Sequence, residues 1–186
     1  MTLANDDTIR TGRLLLRPLR CSDAEPLLAQ FANWEVIRWL STPPWPYGLD
    51  DARAFIASQL GQEPAATGYL AVTVDDTLIG GVEAAGRGSV TPTRSPTLGY
   101  WLAQSHWGRG YMTEAASAYI ARIYAATAID TIYSGAFVGN EASLRIQDKL
   151  GFARTGEDLV YCRPRGKRLT HVNTELTRAQ FLATSK

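Results

Sequence analysis

Between Gln104 and Ala115 the chain reads QSHWGRGYMTEA. This stretch follows the apolar run LGYWLA, Leu98 to Ala103, and opens an Ala-rich pattern that keeps helical spacing to about Thr127. A strand that passes through a Gly-rich turn into a helix is suited to holding a phosphate. The first N–H groups of a helix have no partner inside it, and the aligned peptide dipoles leave partial positive charge there. Gly108 and Gly110 let main chain approach an anion with no side chain between. A phosphorylated ligand is therefore expected at this turn. It does not match the better-known phosphate loops. A dinucleotide fingerprint wants a third glycine where Thr113 stands, and the Gly-Lys-Ser/Thr string of a P-loop is absent.

The 186 residues suffice for one domain with a sizeable core, and 45% hydrophobic with 20% charged residues fits a folded chain. A formal net charge of +1 gives no global attraction to nucleic acid or anionic lipid, so neither partner is expected. No apolar run approaches the roughly 20 residues of a membrane span. The opening MTLANDDTIR carries acids and no hydrophobic segment, so it is not read as a secretory signal; residues 1–8 are expected to be flexible and the location cytoplasmic. Cys21 and Cys162 lack a CxxC spacing, and His106 and His171 are the only histidines, so no metal site is expected.

Ile9 to Arg20 reads as a first strand, with Ser22 and Asp23 as N-cap candidates for a helix to about Ala32. NWEVIRWL, Asn33 to Leu40, reads as a short helix. Pro43, Pro44 and Pro46 break the next segment, and Asp50-Asp51 opens another helix. Gly68–Val74 and Thr77–Ala84 read as strands joined by a tight turn at Asp75-Asp76, and Gly86–Thr97 as a loop. Met112, Ala116, Tyr119, Ile120 and Ile123 give the helix after the Gly-rich turn one apolar face. Thr131–Val138 is a strand. Asn140 caps a helix, EASLRIQDKL, that Gly151 stops. Ala153–Cys162 and Leu169–Leu176 complete the strands, joined by the basic turn RPRGKR.

The block NEASLRIQDKLGF, Asn140 to Phe152, lies one helix and one strand beyond the Gly-rich turn. Together YWLAQSHWGRGYMTEA and NEASLRIQDKLGF resemble the two cofactor motifs of the GNAT superfamily of acetyl-coenzyme A-dependent N-acetyltransferases. The opening RTGRLLLRPLRCSDAEPLLAQFAN and the later GYW are similar to its RimJ/RimL-like branch, which acetylates protein N-termini and small amines. The resemblance runs from about Arg10 to Leu176. It implies a mixed α/β fold in one domain, residues 1–186: a twisted, mostly antiparallel sheet, helices on both faces, and a central parallel pair of strands that splays to admit acetyl-CoA.

Carried onto this chain, the resemblance places the pyrophosphate on the turn Trp107, Gly108, Arg109, Gly110, Tyr111, Met112 and Thr113. It places the pantetheine arm along the backbone of Trp101, Leu102 and Ala103, where an N–H would also polarise the thioester carbonyl. Asn140, Ser143 and Gln147 share a helical stripe expected to face the cofactor tail. Many relatives carry a tyrosine acid where Gln147 stands, so Ser143, or a water, becomes the proton donor to the leaving thiolate. No acid lies in TIYSGAFV, where some relatives hold their base, which leaves Glu83 as the substitute. Asn140, Ser143 and Glu83 are thus the catalytic candidates. Trp45 and Tyr47 are assigned to the acceptor pocket.

Each has a plainer reading: Asn140 as an N-cap, Ser143 as a solvated helix serine, Glu83 as an exposed strand residue, Glu114 as a carboxylate favouring the helix dipole. His106 either packs against the turn or donates to a phosphate. Arg109 and Arg87 are surface arginines or phosphate ligands, and Arg163, Arg165, Lys167 and Arg168 form a solvated hairpin turn or steer an anionic cofactor or substrate. The expected activity is acetyl transfer from acetyl-CoA to a primary amine by direct attack in a ternary complex, in a monomer or homodimer. A non-catalytic acyl-CoA sensor is the alternative; a phosphotransferase lacks both P-loop and metal-binding acids.

Overall fold

The computed structural model describes residues 8–60, 67–85 and 95–184. Its frame is an eight-stranded sheet. The strands are β1 (Ile9–Arg10), β2 (Leu15–Arg17), β3 (Leu70–Val74), β4 (Thr77–Ala85), β5 (Thr97–Leu102), β6 (Thr131–Phe137), β7 (Ala153–Cys162) and β8 (Lys167–Thr177). Their order is β1-β2-β3-β4-β5-β6-β8-β7. Every pairing is antiparallel except β5 with β6. The helices are α1 (Ala24–Phe31), α2 (Trp34–Ile37), α3 (Leu49–Leu60), α4 (Tyr111–Ala126), α5 (Glu141–Leu150) and α6 (Arg178–Thr184).

Strand alternation sends two sets of apolar side chains to opposite faces. Val72, Ile79, Val82 and Leu98 pack under Met112, Tyr119, Ile120 and Ile123 of α4, with Phe181 of α6 at the margin. Ala71, Leu78 and Trp101 pack under Leu27 and Phe31 of α1, Val36 and Ile37 of α2, and Ile56 of α3. Helices therefore cover both faces, as the resemblance implies. The Asp75-Asp76 turn takes positive φ at both residues, +47° and +61°, the geometry of a tight two-residue hairpin.

Three expectations change. Ile9–Arg20 is not one strand but a hairpin of β1 and β2. The carboxylate of Glu114 accepts from the Thr11 hydroxyl (2.6 Å) and from the Arg13 N–H (3.0 Å), which pulls the intervening turn out of the ladder. Asp23 does not cap α1; its carboxylate accepts from both terminal nitrogens of Arg17 (2.7 and 2.8 Å) and from Arg20 N–H (2.7 Å). A last helix, α6, follows β8. It opens with a reciprocal cap: Gln180 Oε1 accepts from Thr177 N–H and hydroxyl, and Gln180 N–H donates back to Thr177 Oγ1. Most of the expected Gly86–Thr97 loop, with Arg87, and residues 1–7 lie outside the described residues. Among the described residues no helix is long and apolar enough to cross a membrane.

Arg17 and Asp23 are 5% and 4% exposed, so the pair has little water to fall back on. Burial alone would raise the Asp23 pKa, but the bonds from Arg17 and Arg20 outweigh it and hold the carboxyl below its ordinary range. Asp23→Ala leaves the guanidinium buried and unpaired, and chemical denaturation should show a loss of about 3–5 kcal/mol. The folded pKa lies below the unfolded value of about 3.9, so the pair's contribution is full well above that pH and is lost as pH falls through the folded pKa. The variant's unfolding free energy should therefore approach that of the parent in strong acid.

Candidate active site

The parallel pair β5–β6 meets at a single register pair, Thr97↔Tyr133. Tyr133 N–H reaches Pro96 C=O at 2.9 Å. Beyond that point the strands part, and side chains take over from the ladder. The buried Ser134 hydroxyl donates to Leu98 C=O at 3.0 Å, and Gln147 Nε2 donates to Gly135 C=O at 3.1 Å. A cleft of about 1130 Å³ opens at the split and continues to the heads of α4 and α5. That is ample for a nucleotide-sized ligand with an acceptor beside it.

At the head of α4 the first helical hydrogen bond runs from Glu114 N–H to Gly110 C=O, 3.1 Å. The N–H groups from Gly108 to Thr113 find no acceptor among the described residues. Gly108 and Gly110 hold φ of +74° and +77°, which directs consecutive N–H groups to one side at little cost only for glycine. Glu114 is spoken for by Thr11 and Arg13. Burial would raise its pKa, but those bonds win and lower it, so it anchors the turn rather than trading protons.

Trp101, Leu102, Trp107, Gly108 and Gly110 line the cleft, as do Tyr111, Met112 and Thr113. Ala103 and the Arg109 side chain do not, and Ala103 N–H is already bonded to Ile79 C=O at 2.8 Å. Trp107 donates its indole N–H to Leu102 C=O at 2.8 Å, which ties the turn to the end of β5. His106 lies outside the cleft, its Nδ1 3.0 Å from Ser105 Oγ. Partial burial and the nearby Arg109 lower its pKa. Tyr47 lines the cleft beside Phe31, with centroids 4.8 Å apart. Trp45 does not line the cleft; it packs on Trp34 at 5.2 Å.

On α5, Asn140 Oδ1 accepts from Ser143 N–H at 3.3 Å, so the capping role is real, and both residues face the cleft. Gln147 departs from expectation. It is wholly buried and does not line the cleft; it accepts from the Thr174 hydroxyl at 2.7 Å and donates to Gly135 C=O and Ser143 Oγ behind the cleft wall. Gln147 lies within about 20° of Asn140 around the helix, but about 10 Å further along its axis, where Gly135 C=O and the Thr174 hydroxyl enclose it. Sequence reasoning also missed Tyr100. Its hydroxyl comes from β5 to within 2.9 Å of Ser143 Oγ, and Gln147 Nε2 reaches the same Oγ at 3.2 Å. Burial pushes the Tyr100 pKa up despite those bonds, so its proton is retained. Glu83, on β4, lies in the cleft with its pKa raised by burial.

Residues 13–153 match the model of the acetyltransferase (GNAT) domain. The chain belongs to the GNAT family. It is therefore an acetyl-CoA-dependent acetyltransferase. It is 28% identical over 158 residues to an uncharacterized N-acetyltransferase of Bacillus subtilis, YoaA, covering 80% of this chain and 84% of that one. In fold it is similar to a ribosomal-protein-alanine acetyltransferase of Vibrio fischeri, with TM-score 0.80, 19% identity, and 95% and 99% of the two chains covered. It is also similar to Mycobacterium smegmatis RimJ in complex with CoA-disulfide, with TM-score 0.76, 20% identity, and 89% and 82% covered. The free N–H groups at the head of α4 suit a diphosphate, and the split beside them suits an extended arm.

A Cβ added at Gly108 would meet nothing within 4 Å, so a side chain there projects into open space at the anchor. Gly108→Asp should weaken coenzyme A binding by about tenfold or more, equivalent to about 1.4 kcal/mol, as read by calorimetry. The positive φ adds strain in the same direction.

Proposed function

We propose that this enzyme acetylates a primary amine, the α-amine of a peptide or of a small molecule, by direct attack within a ternary complex. The observation that carries the reading is the run of unbonded N–H groups from Gly108 to Thr113 beside the split between β5 and β6. The bound acetyl-CoA supplies the activated acyl group as a thioester; the chain supplies anchoring and proton handling. The turn binds the diphosphate, and the edges of the parted strands flank the arm. Ser143 Oγ accepts from Gln147 Nε2, and the Tyr100 hydroxyl lies within reach of both Ser143 Oγ and Ser143 C=O; with the Tyr100 hydrogen on Oγ, the serine's own hydrogen is free for the thiolate position. A thiol leaves easily at a pKa near ~8.5, so a weak donor suffices.

Glu83 takes a proton from the incoming amine. Its raised pKa makes the carboxylate a stronger base than an exposed glutamate. An α-amine, pKa about 7.7–8.0, offers its neutral form far more often at neutral pH than a lysine near about 10.4. The α-amine is therefore the favoured acceptor. Neither buried Cys162, which lies against the Arg38 and Leu40 carbonyls, nor exposed Cys21 lines the cleft, so the acyl group passes directly to nitrogen.

Thiol release from acetyl-CoA over a panel of amines tests the activity. Peptide α-amines should react faster than lysine side chains at neutral pH; the reverse order sinks the acceptor assignment. Glu83→Gln should cut turnover by about 10²-fold with coenzyme A affinity unchanged. The wild-type rate should fall with pH through the raised Glu83 pKa, above the ordinary carboxylate range, and the variant should lack that limb. Ser143→Ala should lower kcat more than it lowers cofactor affinity; an unaltered kcat reduces Ser143 to packing.

A further inference from the structure

Two titratable side chains lean over the split from opposite sides. Gly99 and Gly135 stand two residues past the single pair Thr97↔Tyr133, one on each parted strand. A Cβ at Gly99 would lie 3.8 Å from Cγ and Oε1 of Glu83. A Cβ at Gly135 would collide with the ring of His171 at Cε1. The two glycines thus leave room for Glu83 on the β4 side and His171 on the β8 side. Both line the cleft.

The ring of His171 is held on two sides. It meets Phe137 edge-on with centroids 5.3 Å apart. Its Nδ1 lies 3.0 Å from Asn173 Oδ1, and Asn173 Nδ2 donates to Asp158 Oδ2 at 2.7 Å. A carboxylate only accepts, so the NH₂ of Asn173 must face Asp158 and its oxygen must face the ring. That oxygen also only accepts, so Nδ1 carries the hydrogen. In the neutral imidazole Nε2 then holds the lone pair, and it has no hydrogen-bond partner among the described residues.

We infer that His171 is a second proton acceptor for the attacking nitrogen, with Asn173 and Asp158 as positioning residues. The inference rests on the amine-acetylation reading above. An ammonium that ends as an amide loses two protons. The first goes to Glu83 and frees the lone pair. The C–N bond then forms, the C–S bond breaks with its electron pair on sulfur, and the second proton passes from nitrogen to Nε2 of His171. Ser143 protonates the sulfur and is reprotonated from this pool, so one proton is released to solvent per turnover. His171 gives the second proton an acceptor on the β8 side of the split without waiting for Glu83 to discharge its own.

Long-range ¹H–¹⁵N spectra of the full chain test the tautomer. With two histidines in the sequence, His106→Gln assigns both rings. His171 should show the Nδ1–H form, and Asn173→Leu should move it toward Nε2–H. An Nε2–H ring in the wild type overturns the inference. Turnover is then read with acetyl-CoA and a panel of peptide α-amines, benzylamine and spermidine. His171→Ala should lose about 10²-fold in kcat, keep its affinity for coenzyme A, and regain turnover on addition of imidazole. Wild-type kcat in His171→Ala, or indifference to imidazole, overturns the role. Asn173→Leu, which keeps the ring, should lose a smaller factor, and wild-type kcat in that variant overturns the positioning role even where His171→Ala is unfolded. A wild type silent on every amine overturns the acetylation reading itself, while the spectra still decide the tautomer.

Discussion

Two carbonyls decide the shape of this protein. Where β5 and β6 part, Leu98 C=O and Gly135 C=O lose the ladder partners that neighbouring strands would give each other. An unpaired buried carbonyl is costly, and an open sheet would close on itself to avoid it. Here the Ser134 hydroxyl and the Gln147 amide fill the two positions, so the split persists without that penalty. The cleft, the unblocked strand edges and the placement of Glu83 and His171 over facing glycines all depend on this arrangement.

The same exchange ties the split to the chemistry. Gln147 serves Gly135 C=O and Ser143 Oγ with one amide and is itself held by Thr174. Tyr100 joins from the other strand. The hydroxyl facing the cleft is thus fixed by the residues that keep the strands apart. On the far side of β5, Trp107 bonds Leu102 C=O, and Glu114 holds Thr11 and Arg13 against the head of α4. The Gly-x-Gly turn and the Ser143 hydroxyl are therefore tied into one frame, with the split between them.

Much of this could be read before any coordinates. The Gly-x-Gly turn between an apolar run and an Ala-rich helix announces free N–H groups, because both signals are local. The Asp75-Asp76 hairpin and the Asn140 and Gly151 caps are local as well. So was one signal passed over: Thr177-x-x-Gln180 is a capping box and marks α6. The break at Thr11–Arg13 was different. Its cause is a carboxylate a hundred residues away in sequence, and no window of the chain contains both. The burial of Gln147 and the arrival of Tyr100 beside Ser143 were hidden for the same reason.

His171 shows the limit most plainly. In the sequence it is a lone histidine in an alternating strand, with Asn173 two residues on and Asp158 in another segment. Alternation places His171 and Asn173 on one face; only the β7–β8 register, Asp158↔His171, supplies the carboxylate that orients the amide and thereby the ring. The chain by itself determined most of the elements, the Asn140 and Gly151 caps and the Gly-x-Gly turn, because these follow from neighbours in sequence through hydrogen bonding and side-chain period. Tertiary structure alone decided which carbonyls go unpaired between β5 and β6, which hydroxyls meet, and which nitrogen of His171 faces Asn173. Those outcomes are set by contacts between distant segments, whose energies exist only once the sheet has formed.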